Sequence, residues 1–159
     1  MSYKSMKLVA VATLCLAAVA LPAKADNLAA NFTVAPQNWL GNVAQNIRLT
    51  PGGALVQPFV NPLGGIVSVT YTAECQLIAA STSWLHVTVL IDNIVAVPTG
   101  PDAAFCSGRG VGLGGGWARQ SVTVTRAMAA GAHSVRVVGQ VNGAHTGARL
   151  DDTTVLIER

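Results

Sequence analysis

The chain is 159 residues long, 51% apolar and 11% charged, with ten basic residues against seven acidic ones. All three lysines (Lys4, Lys7 and Lys24) fall within the first 24 residues, so residues 26–159 carry seven arginines against seven acids and no formal net charge. That balance, with no cluster of arginines, excludes recognition of nucleic acid or anionic lipid by charge alone, because both need a basic patch.

In chain order, Lys4 and Lys7 precede an apolar run from Leu8 to Leu21, followed by Pro22 and the small-residue triplet Ala23-Lys24-Ala25. This is the layout of a secretory signal peptide cleaved between Ala25 and Asp26. The run is shorter than a bilayer span requires, and no later segment is long enough. The chain therefore divides into a leader, residues 1–25, and one domain, residues 26–159, exported to the periplasm or the cell exterior. No membrane span is expected after the leader is removed.

The domain opens with a Pro/Gly/Asn-rich segment, residues 26–64. Its start, "NLAANFTVA", alternates Leu28, Ala30, Phe32 and Val34 against Ala29, Asn31 and Thr33, which predicts a first strand. Beyond it, Pro36, Pro51, Pro58 and Pro62 leave room only for short strands. "IVSVTYTAECQL" then puts Val67, Val69, Tyr71, Ala73, Cys75 and Leu77 on one face, with Ser68, Thr70, Thr72, Glu74 and Gln76 on the other. In "WLHVTVLIDNIVAV", Leu85, Val87, Val89 and Ile91 point inward and Trp84, His86, Thr88 and Leu90 outward. Asp92-Asn93 supplies a two-residue hairpin turn. A second pair follows, with Val122 and Val124 inward, a loop at Ala130-Gly131, then His133, Val135 and Val137 inward. "TTVLIE", residues 153–158, closes the chain as a last strand. Short strands separated by turn signals predict an all-β, two-layer antiparallel sandwich.

The ordering of "VTVLIDN", "FCSG", "GGGWARQSVTVTRAMAAGAHSVRVVGQV" and "LDDTTVLIE" resembles jelly-roll domains of the C1q and TNF-like kind, over about residues 85–158. The resemblance implies a jelly roll, a binding or structural role and homo-oligomeric assembly, with no catalytic residue.

Once the leader is gone, Cys75 and Cys106 remain as a pair in an oxidising compartment, which predicts a disulfide between them. No C-x-x-C motif or histidine pair marks a metal site, and His86, His133 and His145 are scattered. Gly110, Gly112 and Gly115 spell G-x-G-x-x-G, but they run into β-patterned sequence where a dinucleotide turn needs a helix. The stretch reads as a pliable loop, and no cofactor is expected. There is no G-x-S-x-G, and nothing in the sequence pairs two acids, so no catalytic residue is assigned. Asp151-Asp152 reads as a solvated turn before the last strand.

Trp84 on the polar face of its strand, and Trp117 after the glycines, are the candidate ligand-binding residues; Trp39 is a third aromatic of the same kind. The expected partner is a glycan or cell-surface ligand, or a second copy of the chain. Two rival readings remain: a fibre subunit that donates residues 26–35 to a neighbour's sheet, and a small secreted carbohydrate-binding protein or glycosidase.

Overall fold

The structure, a computed structural model, describes residues 25–40, 42–79, 83–98, 104–107, 116–143 and 145–159. The glycine motif at 110–115 and all but the last residue of the leader lie outside them. The described strands are β1 (Asn27–Thr33), β2 (Gln37–Leu40), β3 (Gln45–Asn46), β4 (Gln57–Asn61), β5 (Gly65–Ala79), β6 (Trp84–Ile91), β7 (Ile94–Val95), β8 (Ala104–Ser107), β9 (Ala118–Met128), β10 (Gly131–Asn142) and β11 (His145–Glu158). No helix among the described residues is long and apolar enough to cross a membrane.

They form two antiparallel sheets. In the first, β11 and β5 lie at the centre, β9 flanks β5, and β1 and β2 share the free edge of β11. In the second, β10 and β6 are central, β3 and β4 share one edge, and β7 and β8 the other. Strands from both ends of the chain thus interleave in each layer, which is the strand order of a jelly roll.

Alternation explains the core. Val67, Val69, Tyr71, Ala73, Cys75 and Leu77 of β5 are all buried, facing Leu85, Val87, Val89 and Ile91 of β6. Val135, Val137 and Val141 of β10, with Leu150, Val155 and Ile157 of β11, complete the layer between the sheets. Each such side chain contributes about 1.5–3 kcal/mol on leaving water. The Cys75–Cys106 disulfide ties the two sheets together, with Cα atoms 6.4 Å apart. Asp92 and Asn93 have φ of 51° and 63° and join Ile91 to Ile94, the left-handed pair that a tight hairpin requires.

Two expectations are corrected. The last strand begins at His145, not near residue 153, so Asp151 and Asp152 sit inside a strand instead of in a turn. An irregularity between Asp151 and Thr154, with Asp152 at φ 44°, breaks the alternation that would have revealed it. In β1, the apolar alternation does not mark the core face: Phe32 is 60% and Val34 67% exposed, while Thr33 is buried. An irregularity between Asn27 and Ala29 shifts the strand against β11, so Asn31 and Thr33 turn inward, and Asn31 bonds Gln57 of β4. β1 pairs with β11 from Asn27 to Thr33.

Candidate functional site

The short strands of the N-terminal segment build a groove at the edge of the sandwich. β2 adds to the first sheet opposite Gly147–Leu150, and β3 adds to the second opposite Val138 and Gly139. The chain crosses between the layers here, and Ile47 and Leu49, both buried, pin the crossing. Arg48, between them, faces out. The Ile47 N–H donates to the Val137 carbonyl (2.8 Å), and Leu49 donates to Ala54 (2.8 Å). Thr50-Pro51-Gly52-Gly53 forms a turn closed by the Gly53 N–H to the Thr50 carbonyl (2.9 Å), with Gly53 at φ 80°, a conformation that favours glycine.

Gln37 fixes the floor. Its side chain is buried, its Oε1 accepts from the Arg48 N–H (2.7 Å) and its Nε2 donates to the Arg48 carbonyl (3.3 Å). A side-chain amide thus substitutes for a backbone bridge between the layers.

The resulting groove has a volume of about 550 Å³. Its polar lining is three exposed carboxamides (Asn38, Gln45 and Asn46), the buried amide of Gln37 that is taken up by the Arg48 main chain, and Arg48 itself. Pro36 and Leu55 supply apolar surface, and no acid lines it. A carboxamide both donates and accepts in a planar fork, so this wall presents both polarities to a neutral, hydroxyl-rich ligand.

The register puts the tryptophans at the same end of the sandwich as the disulfide, but on separate strands, with Trp39 and Trp117 at opposite edges of the first sheet. Trp39 lies opposite Ala148, itself opposite Leu77, two residues beyond Cys75. Trp84 begins β6 opposite Ser107, next to the Leu85–Cys106 pair. Trp117 directly precedes Ala118, which faces Cys75. Trp117 is 45% exposed; Trp84 is half-buried on the outer face, with its indole N–H out of water and unpartnered. A smaller cavity of about 140 Å³ lies at this end, lined by both cysteines and by Gly116 beside Trp117.

The remaining candidates lie elsewhere. His133 is held by Asp92 (Nδ1 to Oδ2, 2.7 Å) and by the Ala129 carbonyl (3.1 Å), at the hairpin end. The Nε2 of His86 contacts the Thr88 hydroxyl (2.6 Å). The side chain of His145 lies outside the described residues. Among those residues, no three His, Cys, Asp or Glu groups converge as metal ligands. The register does place Asp151 opposite Glu74, an acid pair that sequence did not show. Glu74 is paired with Arg119 (3.5 Å), however, and neither acid lines the groove.

No family model and no curated protein matches this chain. Among solved structures it is similar to the Eiger TNF from S. frugiperda, at 9% identity and a TM-score of 0.42, covering 84% of this chain and 94% of that one. It is similar also to a family 35 carbohydrate-binding module from Clostridium thermocellum, at 8% identity and a TM-score of 0.38, covering 80% and 97%. A third is the carbohydrate-binding module CBM6cm-2 of Cellvibrio mixtus lichenase 5A in complex with cellotriose, at 14% and 0.34, covering 86% and 90%. These superpositions are loose; the fold rests on the strand order above, and the site on its own geometry.

The groove amides carried no sequence signal strong enough to single them out. The trace that existed was the doubled Gln-Asn dipeptide, at 37–38 and again at 45–46.

Proposed function

We propose that this chain is an exported, non-enzymatic binding module that holds a saccharide in the groove between β2 and β3. The lining carries the proposal: three exposed carboxamides and a guanidinium beside two apolar patches, with no acid among them. Sugar hydroxyls each donate and accept, which the amides match, while Pro36 and Leu55 suit the C–H faces of a pyranose. Of the tryptophans, Trp39 follows Asn38 on the strand that walls the groove, whereas Trp117 precedes β9 at the opposite edge of the first sheet.

Export is supported by the leader pattern and by the disulfide, which a reducing cytosol would not maintain. Asp26, the first residue after the expected cleavage, exchanges two main-chain hydrogen bonds with Arg159, each 3.0 Å.

The test is a glycan array probed with residues 26–159 and with an Asn38→Ala/Asn46→Ala variant. Both asparagines are exposed, so the variant should fold. The expected result is binding by the parent chain and at least a roughly tenfold loss in the variant, as befits removing two hydrogen-bonding groups. Binding that the double variant leaves intact would rule the groove out.

Self-association belongs to the same proposal and is assigned to the outer face of the first sheet. There Ser68, Thr70 and Thr72 lie in register with Thr125, Thr123 and Ser121, six hydroxyl residues with no charge among them. Light scattering should return a multiple of the monomer mass for the parent and a monomer for Thr123→Arg. A monomeric parent, or a variant of unchanged mass, would contradict the assignment.

A further inference from the structure

Among the polar groups of the groove, one is not neutral. Arg48 is exposed, and no described carboxylate pairs with it; among the described residues the ion pairs are Arg119–Glu74, His133–Asp92 and Arg159–Asp26. Its main chain is held at three points, by both atoms of the Gln37 carboxamide and by the Thr153 hydroxyl, which donates to the Arg48 carbonyl (3.5 Å). Its stem runs along the Gly52-Gly53 turn, where Cδ lies 3.9 Å from the position a Cβ on Gly53 would take. The guanidinium is therefore carried on a fixed base along one wall of the groove. A second guanidinium, Arg149, sits on β11 directly opposite Asn38.

We propose that the groove selects saccharides bearing a carboxylate, and that Arg48 is the residue that sets this preference. The inference rests on the reading of the groove as a saccharide site and adds the ligand's chemical class to it. A neutral sugar needs only the amides. A guanidinium with no acid beside it leaves one positive charge unmatched, and a carboxylate meets its planar fork with two parallel hydrogen bonds. The groove is open to water, so the preference is moderate, about fivefold to tenfold at low salt, and is screened as salt rises.

The experiment compares oligogalacturonate with the same oligosaccharide after carboxyl reduction, which preserves linkage and shape while removing the charge. Titration calorimetry at about 50 and 500 mM NaCl covers the chain of residues 26–159, Arg48→Gln and Asn38→Ala/Asn46→Ala. The account expects tighter binding of the uronate by the parent, a preference that shrinks at high salt. Arg48→Gln should bind both forms with the affinity the parent shows for the reduced one, while the double asparagine variant loses both. Equal binding of both forms by the parent overturns the role of Arg48 and leaves the saccharide site standing. So does a preference that survives in Arg48→Gln. Binding of neither form at either salt overturns the groove reading itself, and this proposal with it.

Discussion

The carboxamide of Gln37 bonds both main-chain groups of Arg48, accepting from its N–H at 2.7 Å and donating to its carbonyl at 3.3 Å. One side chain thus joins the edge of the first sheet to the segment that enters the second. Gln37→Ala leaves the partly buried Arg48 N–H without a partner and its carbonyl with the Thr153 hydroxyl alone, at a cost of about 1–3 kcal/mol. Urea unfolding should show a lower midpoint with an unchanged slope. A midpoint equal to the parent's would mean that the clip does not hold the groove floor.

Cys75 and Cys106 are 31 residues apart in sequence and link β5 to β8 across the core. Closing a loop of that length stabilises by about 3–4 kcal/mol in the chain-entropy model. The Cys75→Ala/Cys106→Ala variant should lose that amount in denaturant. Stability within about 1 kcal/mol of the parent would place the constraint elsewhere.

Tyr71 is the one tyrosine beyond the leader, and its hydroxyl is buried with no partner while its ring packs on Phe105, centroids 5.5 Å apart. Removing an unpaired buried hydroxyl relieves its desolvation penalty, so Tyr71→Phe should raise stability by about 1–2 kcal/mol. Burial also pushes the phenol well above its ordinary value of 10.0. The folded chain keeps a proton that the unfolded chain releases near pH 10, so this contribution is present below pH 10 and is lost as pH rises. Absorbance at about 295 nm should show tyrosinate appearing only with unfolding. Ionisation of the folded chain near pH 10 would contradict the burial.

Much of this fold was legible because most strands bury one face. β5 and β6 show strict alternation, and the Asp92-Asn93 turn follows from residues that tolerate positive φ. β1 misled because its exposed Phe32 and Val34 are more apolar than its inward Asn31 and Thr33, a choice set by register with β11 and not by hydrophobicity. The first half of β11 was hidden by the irregularity at Asp151–Thr154. The groove was least legible of all. β2 and β3 are four and two residues long, too short for a period, and their amides gain meaning only when two sheets bring them together.

Asp92 accepts from His133 and from the Ser134 N–H (2.9 Å) at the hairpin. Burial acts to raise its pKa, but the His133 hydrogen bond, the Ser134 amide and the charges of His133 and Arg126 outweigh this and lower it below 3.8. Its ionised form is therefore a source of stability above that value, lost as pH falls through the depressed folded one. Asp92→Asn keeps a residue suited to φ 51° while removing the charge. Its deficit against the parent should shrink as pH falls below 3.8 and vanish in stronger acid. A deficit that persists at pH 2 would assign the effect to the turn alone. Asp92→Ala, which meets the positive φ with a Cβ and no local hydrogen bond, should cost roughly 1–2 kcal/mol more at every pH.

The central claim is that a saccharide sits in the amide-lined groove, one wall of which is β2, where Trp39 directly follows Asn38. Tryptophan emission therefore reports on the groove through Trp39, one of the three tryptophans in the chain. Titrating residues 26–159 with oligogalacturonate should give a saturable change in emission, weakened about fivefold or more by Arg48→Gln and abolished by Asn38→Ala/Asn46→Ala. A titration curve identical in the parent and in both variants would contradict the account.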